Sequence, residues 1–392
     1  MRTLVEEVID LDGRCLAPGV IDDHVHFREP GSEHKGCIAT ESAAAALGGV
    51  TSYMDMPNNT PAAVTIAALE AKEAIAKRDS TVNYSFYLGA AANRLDQIRA
   101  LDASKVCGVK VFIGSSTGSL LVEDKSVLDV IFATSPVLIA VHAEDNAVIS
   151  ANMAEARSRY GDDIPFSAHP DIRSREACVK ATKLALSLAE KHGSKLHIMH
   201  VSTLEEAELI REAADRGVKV TGEVCVSYLM FNRDDYARYG AQIKCNPAIK
   251  ERTDMLYLRE AVKSGLRPVI GTDHAPHLLS EKNVGSYAKS PSGIPMVQHS
   301  LLAMLELVNQ GVLTLESVIE RMCHAPADLF NIKGRGYLRK GYFADLVAFD
   351  RSTPSQPEIA SRCGWAPLNS FSSTILHTMV NGEFVVRNSA LT

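Results

Sequence analysis

The sequence predicts an α/β fold, a closed (β/α)8 barrel with a small β-rich flanking domain contributed by the chain ends. Three observations carry that expectation. A length of 392 residues suits one barrel of roughly 250 residues plus a small attached domain. Short β-branched runs alternate with longer Ala-, Leu- and Glu-rich stretches of helical period, which is the mark of a βαβ chain with a parallel sheet. The unusual polar residues fall at the C-terminal ends of those runs, positions that become a single rim when such a sheet closes as a TIM barrel. An open doubly wound sheet would also fit the alternation, but eight runs suit the closed form.

In chain order the runs are Gly19–Phe27, Thr51–Met56, Val82–Leu88, Gly108–Ile113, Val137–His142, Leu196–Val201, Val218–Val224 and Pro268–Asp273. Helix candidates between them include Pro61–Lys77, Arg173–Lys191 and Thr203–Arg216, the last opened by a Ser-Thr-x-x-Glu cap. The polar residues at the run ends are His24 and His26, Asp55 and Asn58, Lys110, His142, His200 and Asp273. Beyond the eighth run, Ala275–Pro295 is rich in Ser, Gly, Pro and Lys, a length without period that reads as a lid or binding loop. Two further strand-like runs, Ala344–Asp350 and Thr378–Arg387, are surplus to a complete barrel and go to the flanking domain, joined by the Leu4–Leu16 segment. The expected division is 1–16 and 340–392 for the flanking domain and 17–339 for the barrel.

Apolar residues make up 46% of the chain, charged residues 22% and aromatics 6%, which is ordinary for a globular enzyme. The net charge of −6 argues against a surface that tracks phosphates, so nucleic acid is not an expected partner. Eight scattered cysteines without a Cys-x-x-Cys pair read as reduced thiols. No apolar run approaches the roughly 20 residues of a membrane span, and Met1–Asp12 lacks the basic and apolar regions of a signal peptide. A cytoplasmic address is therefore expected.

His24-Val25-His26 places two imidazoles two residues apart, where strand alternation points both to one face and lets them share a dication. Alone, such a pair is more often surface or core histidine. His142 and His200 close two very apolar runs at equivalent barrel positions, which strengthens a metal reading. His197 lies an odd number of residues from His200 and is left structural. Asp273 ends the last run with a carboxylate that needs a partner; it is read as a metal ligand that also acts as general base, against the alternative of a salt bridge or cap. Lys110 cannot ligate a cation as an ammonium. As a carbamate, formed with carbon dioxide, its two oxygens could bridge two metals about 3.5–4 Å apart; the alternative is a strand lysine paired to an acid.

Asp22 through Gly31, Met56-Pro57-Asn58, Lys110, His142, His200 and Gly271 through His277 together resemble the cyclic amidohydrolases, and the dihydroorotases most closely, over nearly the whole chain. The resemblance implies two divalent metal ions, with zinc the usual one, although the ligands also suit manganese or cobalt. It implies that His24, His26 and Asp273 hold one ion, that His142 and His200 hold the other, and that carbamylated Lys110 and a hydroxide bridge them. Some bacterial dihydroorotases fill the lysine place with aspartate; this chain resembles the carbamate type. The implied reaction is reversible hydrolysis of dihydroorotate to N-carbamoyl-aspartate, with Asp273 passing a proton to the leaving nitrogen.

Arg28 separates this substrate from its rivals, because dihydroorotate carries a carboxylate that allantoin and hydantoin lack, and a guanidinium can grip it bidentately. Asn58 and His277 are implied as further carboxylate contacts, Asn246 as a contact to the ring, and the backbone of Pro291-Ser292-Gly293 as a reader of the pyrimidine edge. An allantoinase or hydantoinase is the nearest rival, and a non-catalytic scaffold barrel the rival from another class. Twenty-three residues precede His24, fewer than the relatives spend on the flanking domain, so its N-terminal part is expected to be short. A homo-oligomer, most simply a dimer, is the general expectation for such an enzyme.

Overall fold

The computed structural model describes residues 8–114, 120–264 and 268–392, so the start of the Leu4–Leu16 segment lies outside the described residues. Eight strands form one parallel sheet in sequential order: β2 (Val20–Val25), β3 (Val50–Asp55), β4 (Asn83–Gly89), β5 (Gly108–Ile113), β6 (Ile139–Ala143), β7 (Leu196–Ile198), β8 (Val220–Cys225) and β9 (Val269–Gly271). The ring closes between its first and last strands through a parallel bridge of Val25 with His274, where the His26 N–H donates to the His274 carbonyl at 2.7 Å. The barrel reading holds, and the open sheet does not.

A second, antiparallel sheet of five strands takes β1 (Cys15–Pro18) from one chain end and β10 (Leu346–Asp350), β11 (Thr374–Val380), β12 (Glu383–Arg387) and β13 (Ala390–Leu391) from the other. The run Thr378–Arg387 is not one strand, as the sequence reading had it, but a hairpin spanning β11 and β12. Its turn is Asn381-Gly382, both with positive φ (56° and 89°), the pair that a tight hairpin of this hand favours.

Helix boundaries follow local capping. The expected helix from Pro61 begins instead at Ile66, because the Thr65 hydroxyl accepts the Ala68 N–H and fixes the start of Ile66–Asp79. The predicted Ser-Thr-x-x-Glu cap is present: Thr203 accepts from the Glu206 N–H at 3.2 Å, and the Glu206 carboxylate accepts from the Thr203 N–H at 3.1 Å, opening Leu204–Asp215. Inside the barrel Ile21, Met54, Tyr87, Ala140 and Met199 form an apolar plug, while a larger core fills the space between strands and helices. Below the rim, the Asp22 carboxylate accepts from the Thr272 N–H and hydroxyl at 3.1 and 2.6 Å, fastening β2 to the end of β9.

The loop Ala275–Pro295 is braced from within. The buried Lys282 ammonium donates to the carbonyls of Lys244, Pro291 and Gly293 at 2.9–3.0 Å, and Lys244 donates to those of Tyr287 and Ser290 at 2.7 Å. All eight cysteines are unbridged. Among the described residues no helix is long and apolar enough to cross a membrane.

Candidate metal centre and substrate wall

Strand alternation alone does not deliver the two histidines of the His-x-His pair. In β2 the register against β3 shifts between Asp22 and Val25, a bulge that re-aims the side chains, and His26 lies just past the strand. Both imidazoles then reach one oxygen: Asp273 Oδ1 is 3.2 Å from His24 Nε2 and 3.0 Å from His26 Nε2. Asp273 and His200 are not on strands, as expected from the sequence, but follow β9 and β7 with φ of 48° and 41°. A left-handed residue cannot continue a strand, which is why those two strands are only three residues long. Arg28 is left-handed as well, with φ 68°, and such strain gathers at functional sites.

The imidazoles are held from behind. His24 Nδ1 lies 3.0 and 3.1 Å from the two oxygens of Glu223, and His26 Nδ1 lies 2.7 Å from Asn58 Oδ1. Both Nδ1 atoms therefore donate, which leaves each Nε2 as a lone pair facing a carboxylate oxygen. Two lone pairs and a carboxylate oxygen repel one another unless a cation or proton lies among them, so this donor set fits a metal ion. With protons in that place instead of a metal, His24 and His26 outweigh the upward push of burial and bring the Asp273 carboxyl down to about 2.

His142 Nδ1 and His200 Nε2 approach to 2.9 Å, and the rings of His24 and His200 lie 5.4 Å apart, so the second pair adjoins the first. His142 Nε2 donates to Glu144 at 2.9 Å, leaving Nδ1 as an acceptor. Between the groups, Lys110 is buried on β5; its ammonium reaches Met199 Sδ at 2.9 Å, and among the described residues no carboxylate hydrogen-bonds it. Burial lowers its pKa to about 8 against the pull of Glu223 and Asp273, so a neutral amine is within reach near neutral pH.

On the other side of Asp273 the wall is cationic. Arg28 Nε donates to the Pro276 carbonyl at 3.1 Å and Nη2 lies 3.2 Å from His277 Nε2, while Lys35 Nζ lies 3.2 Å from His277 Nδ1. Burial, then Arg28, Lys35 and Lys282, hold the His277 pKa far below the usual imidazole range, so the ring is neutral. Asn246 Oδ1 is buried without a hydrogen-bond partner among the described residues. The Gly293 N–H donates to the Lys244 carbonyl, and Ser292 accepts from His277, so these parts of Pro291-Ser292-Gly293 already have protein partners.

The amidohydrolase family model matches residues 15–385. The chain belongs to the amidohydrolase family. Its amidohydrolase relatives include a dihydroorotase of Methanothermobacter thermautotrophicus, 32% identical over 99% of this chain and 88% of that protein, and an allantoinase of Bacillus velezensis, 34% identical over 87% and 76%. Among solved structures, the L-hydantoinase of Arthrobacter aurescens matches with a TM-score of 0.94 at 28% identity, covering 98% of this chain and 88% of that one. The protein is thus a metal-dependent cyclic amidohydrolase, and the three neighbours are named for three different cyclic substrates.

Several residues of this amidohydrolase site escaped the sequence reading. Glu144, two residues past His142, is gripped by Arg173, with Nη2 at 2.6 Å. Glu223 is a fully buried acid near the C-terminal end of strand β8, a signal that was present but unread. Trp365, the only tryptophan, comes from the segment between β10 and β11 and donates its indole N–H to the His277 carbonyl at 2.7 Å. Trp365→Phe is expected to lower stability by about 1 kcal/mol by leaving that carbonyl short of a donor. Urea unfolding followed by circular dichroism checks it, and an unchanged midpoint would mean the bond is replaced by water.

Proposed function

We propose that this amidohydrolase is a dihydroorotase, opening (S)-dihydroorotate to N-carbamoyl-L-aspartate and closing it in reverse. The observation that carries the reading is Arg28 beside neutral His277 and Lys35, a compact cationic wall next to Asp273. A ring bearing a carboxylate complements it, whereas a neutral hydantoin offers the guanidinium nothing beyond the pull it already has from Asp273, Asp55 and Glu281.

His24, His26 and Asp273 would hold one divalent ion and His142 and His200 a second, with Lys110 as the carbamate that joins them. Carbamylation adds carbon dioxide to the neutral amine and releases one proton. The nitrogen-rich set suits zinc. When bound, the ions polarise the ring amide and make water more acidic.

The chain's own residues do the rest. Asp273 Oδ1 is engaged by both histidines, so Oδ2 is the oxygen left to take a proton from the attacking water and return it to the ring nitrogen as the C–N bond breaks. Asn58 spends its Oδ1 on His26, which leaves its NH2 to donate to the substrate carboxylate beside Arg28. Asn246 Oδ1 is buried and without a partner among the described residues, and would accept a ring N–H once its amide turns toward the substrate.

The likeness to an allantoinase favours a second reading, in which the ring is allantoin. Ring opening of dihydroorotate, allantoin and hydantoin, each with and without a chelator, separates the two. Turnover of dihydroorotate that chelation abolishes supports the proposal. Turnover of allantoin or hydantoin alone overturns it and keeps the reaction class.

A further inference from the structure

We infer that Glu223 is a positioning residue that holds both halves of the metal centre in register. The inference rests on the ligand set proposed above. Glu223 is fully buried on β8 and its carboxylate does two things at once. Its oxygens accept from His24 Nδ1 at 3.0 and 3.1 Å, and Oε1 also accepts from the backbone N–H of His200 at 3.0 Å. One carboxylate therefore fixes the side chain of a residue in the first group and the main chain of a residue in the second.

Each contact has a physical consequence. Accepting at Nδ1 sets the His24 tautomer, directs the Nε2 lone pair toward Asp273, and raises the basicity of that nitrogen toward a dication. Glu223 faces Nδ1 and Asp273 faces Nε2, so the two carboxylates do not compete for one nitrogen. The bond to the His200 N–H helps to hold a residue whose φ of 41° is costly outside glycine. Space for the carboxylate is built in at Gly271, where a Cβ would lie 3.0 Å from Glu223 Cδ and 2.8 Å from Asp23 Oδ1. A side chain there would press on Asp23 first and on Glu223 next, without removing either charge.

The test is metal binding by the purified full chain, with zinc by calorimetric titration and cobalt by its visible absorption. Glu223→Gln keeps the shape and one acceptor oxygen but loses the charge and the second acceptor. It is expected to bind both metals about 10–100-fold more weakly than wild type, with an altered cobalt spectrum and an unchanged far-ultraviolet circular dichroism. Gly271→Ala is expected to shift affinity and spectrum in the same direction. Wild-type affinity and spectrum in Glu223→Gln would overturn the inference. Should that variant not fold, Glu223→Asp decides in the same way, since it keeps the charge but is one methylene too short to span both contacts. A wild-type chain that takes up neither metal overturns the ligand set itself, and the inference with it.

Discussion

Lys110→Met is expected to reduce ring-opening activity by at least about 10³-fold while leaving the metal-free protein as stable as wild type or more so. The two halves of that result have separate causes. The side chain is fully buried, touches Met199 Sδ, and has no carboxylate hydrogen-bonded to it among the described residues. Its pKa falls from 10.5 to about 8, which corresponds to about 3 kcal/mol of disfavoured charge. Because the folded pKa of this base is depressed, the penalty is fully present below about pH 8 and disappears as the pH rises toward 10.5. Metal-free wild type should therefore gain stability between those limits, and Lys110→Met should lack that gain, since a thioether of similar length fills the same space without charge. Activity falls because the variant has no amine to carbamylate, and the two groups of ligands lose the anion that would join them. Urea unfolding of the metal-free, carbon dioxide-depleted proteins at pH 7 and pH 10 reads the first half, and turnover of the metal-loaded proteins reads the second. Retained activity, or a variant several kcal/mol less stable at pH 7, would sink the reading of Lys110.

The same residue shows what a sequence can and cannot disclose. A lysine or histidine at the end of an apolar β-branched run is legible because burial of a polar group needs a reason. That signal alone puts Lys110, His142, His200 and Asp273 on one rim. Strand period was a weaker guide. It paired His24 with His26 on one face, but the bulge in β2 and the end of the strand at Val25 are what aim them at Asp273. It also set His197 apart from His200 by parity, whereas His200 has left the strand altogether; His197 is nonetheless a partner of Asp23 and Thr221, at 3.2 and 2.7 Å. Glu223 carried the same signal, a buried acid near the end of a strand run, but its role was not legible because its partner is His24, 199 residues away, across a barrel whose closure no local pattern specifies. The second sheet was read two strands short for local reasons: Asn381-Gly382 is a hairpin signal lying inside a run read as continuous, and the last strand, β13, is only two residues long.

Arg28→Ala is expected to lower kcat/KM for dihydroorotate by about 10²–10³-fold, mostly through KM, while changing turnover of any carboxylate-free hydantoin by less than about tenfold. The argument is differential. Truncation leaves the substrate carboxylate without a charge-assisted fork, and Lys35, engaged with His277 Nδ1 and 3.5 Å from Glu281, is poorly placed to substitute for it. A neutral ring asks nothing of that wall. Backbone strain does not enter the comparison, since arginine and alanine both carry a Cβ and meet the same cost at φ 68°. The bond from Arg28 Nε to the Pro276 carbonyl is lost as well, so part of the effect comes from a looser turn before His277; that part falls equally on every substrate. Arg28→Lys separates the contributions, for it restores charge without the planar fork and should recover some, but not all, of the dihydroorotate activity. Steady-state kcat and KM for dihydroorotate and for one hydantoin, measured on the three proteins at equal metal content, give the answer. Equal losses on both substrates would assign Arg28 to holding the Pro276–His277 turn, and the choice of a carboxylate-bearing ring would then lose the observation it rests on.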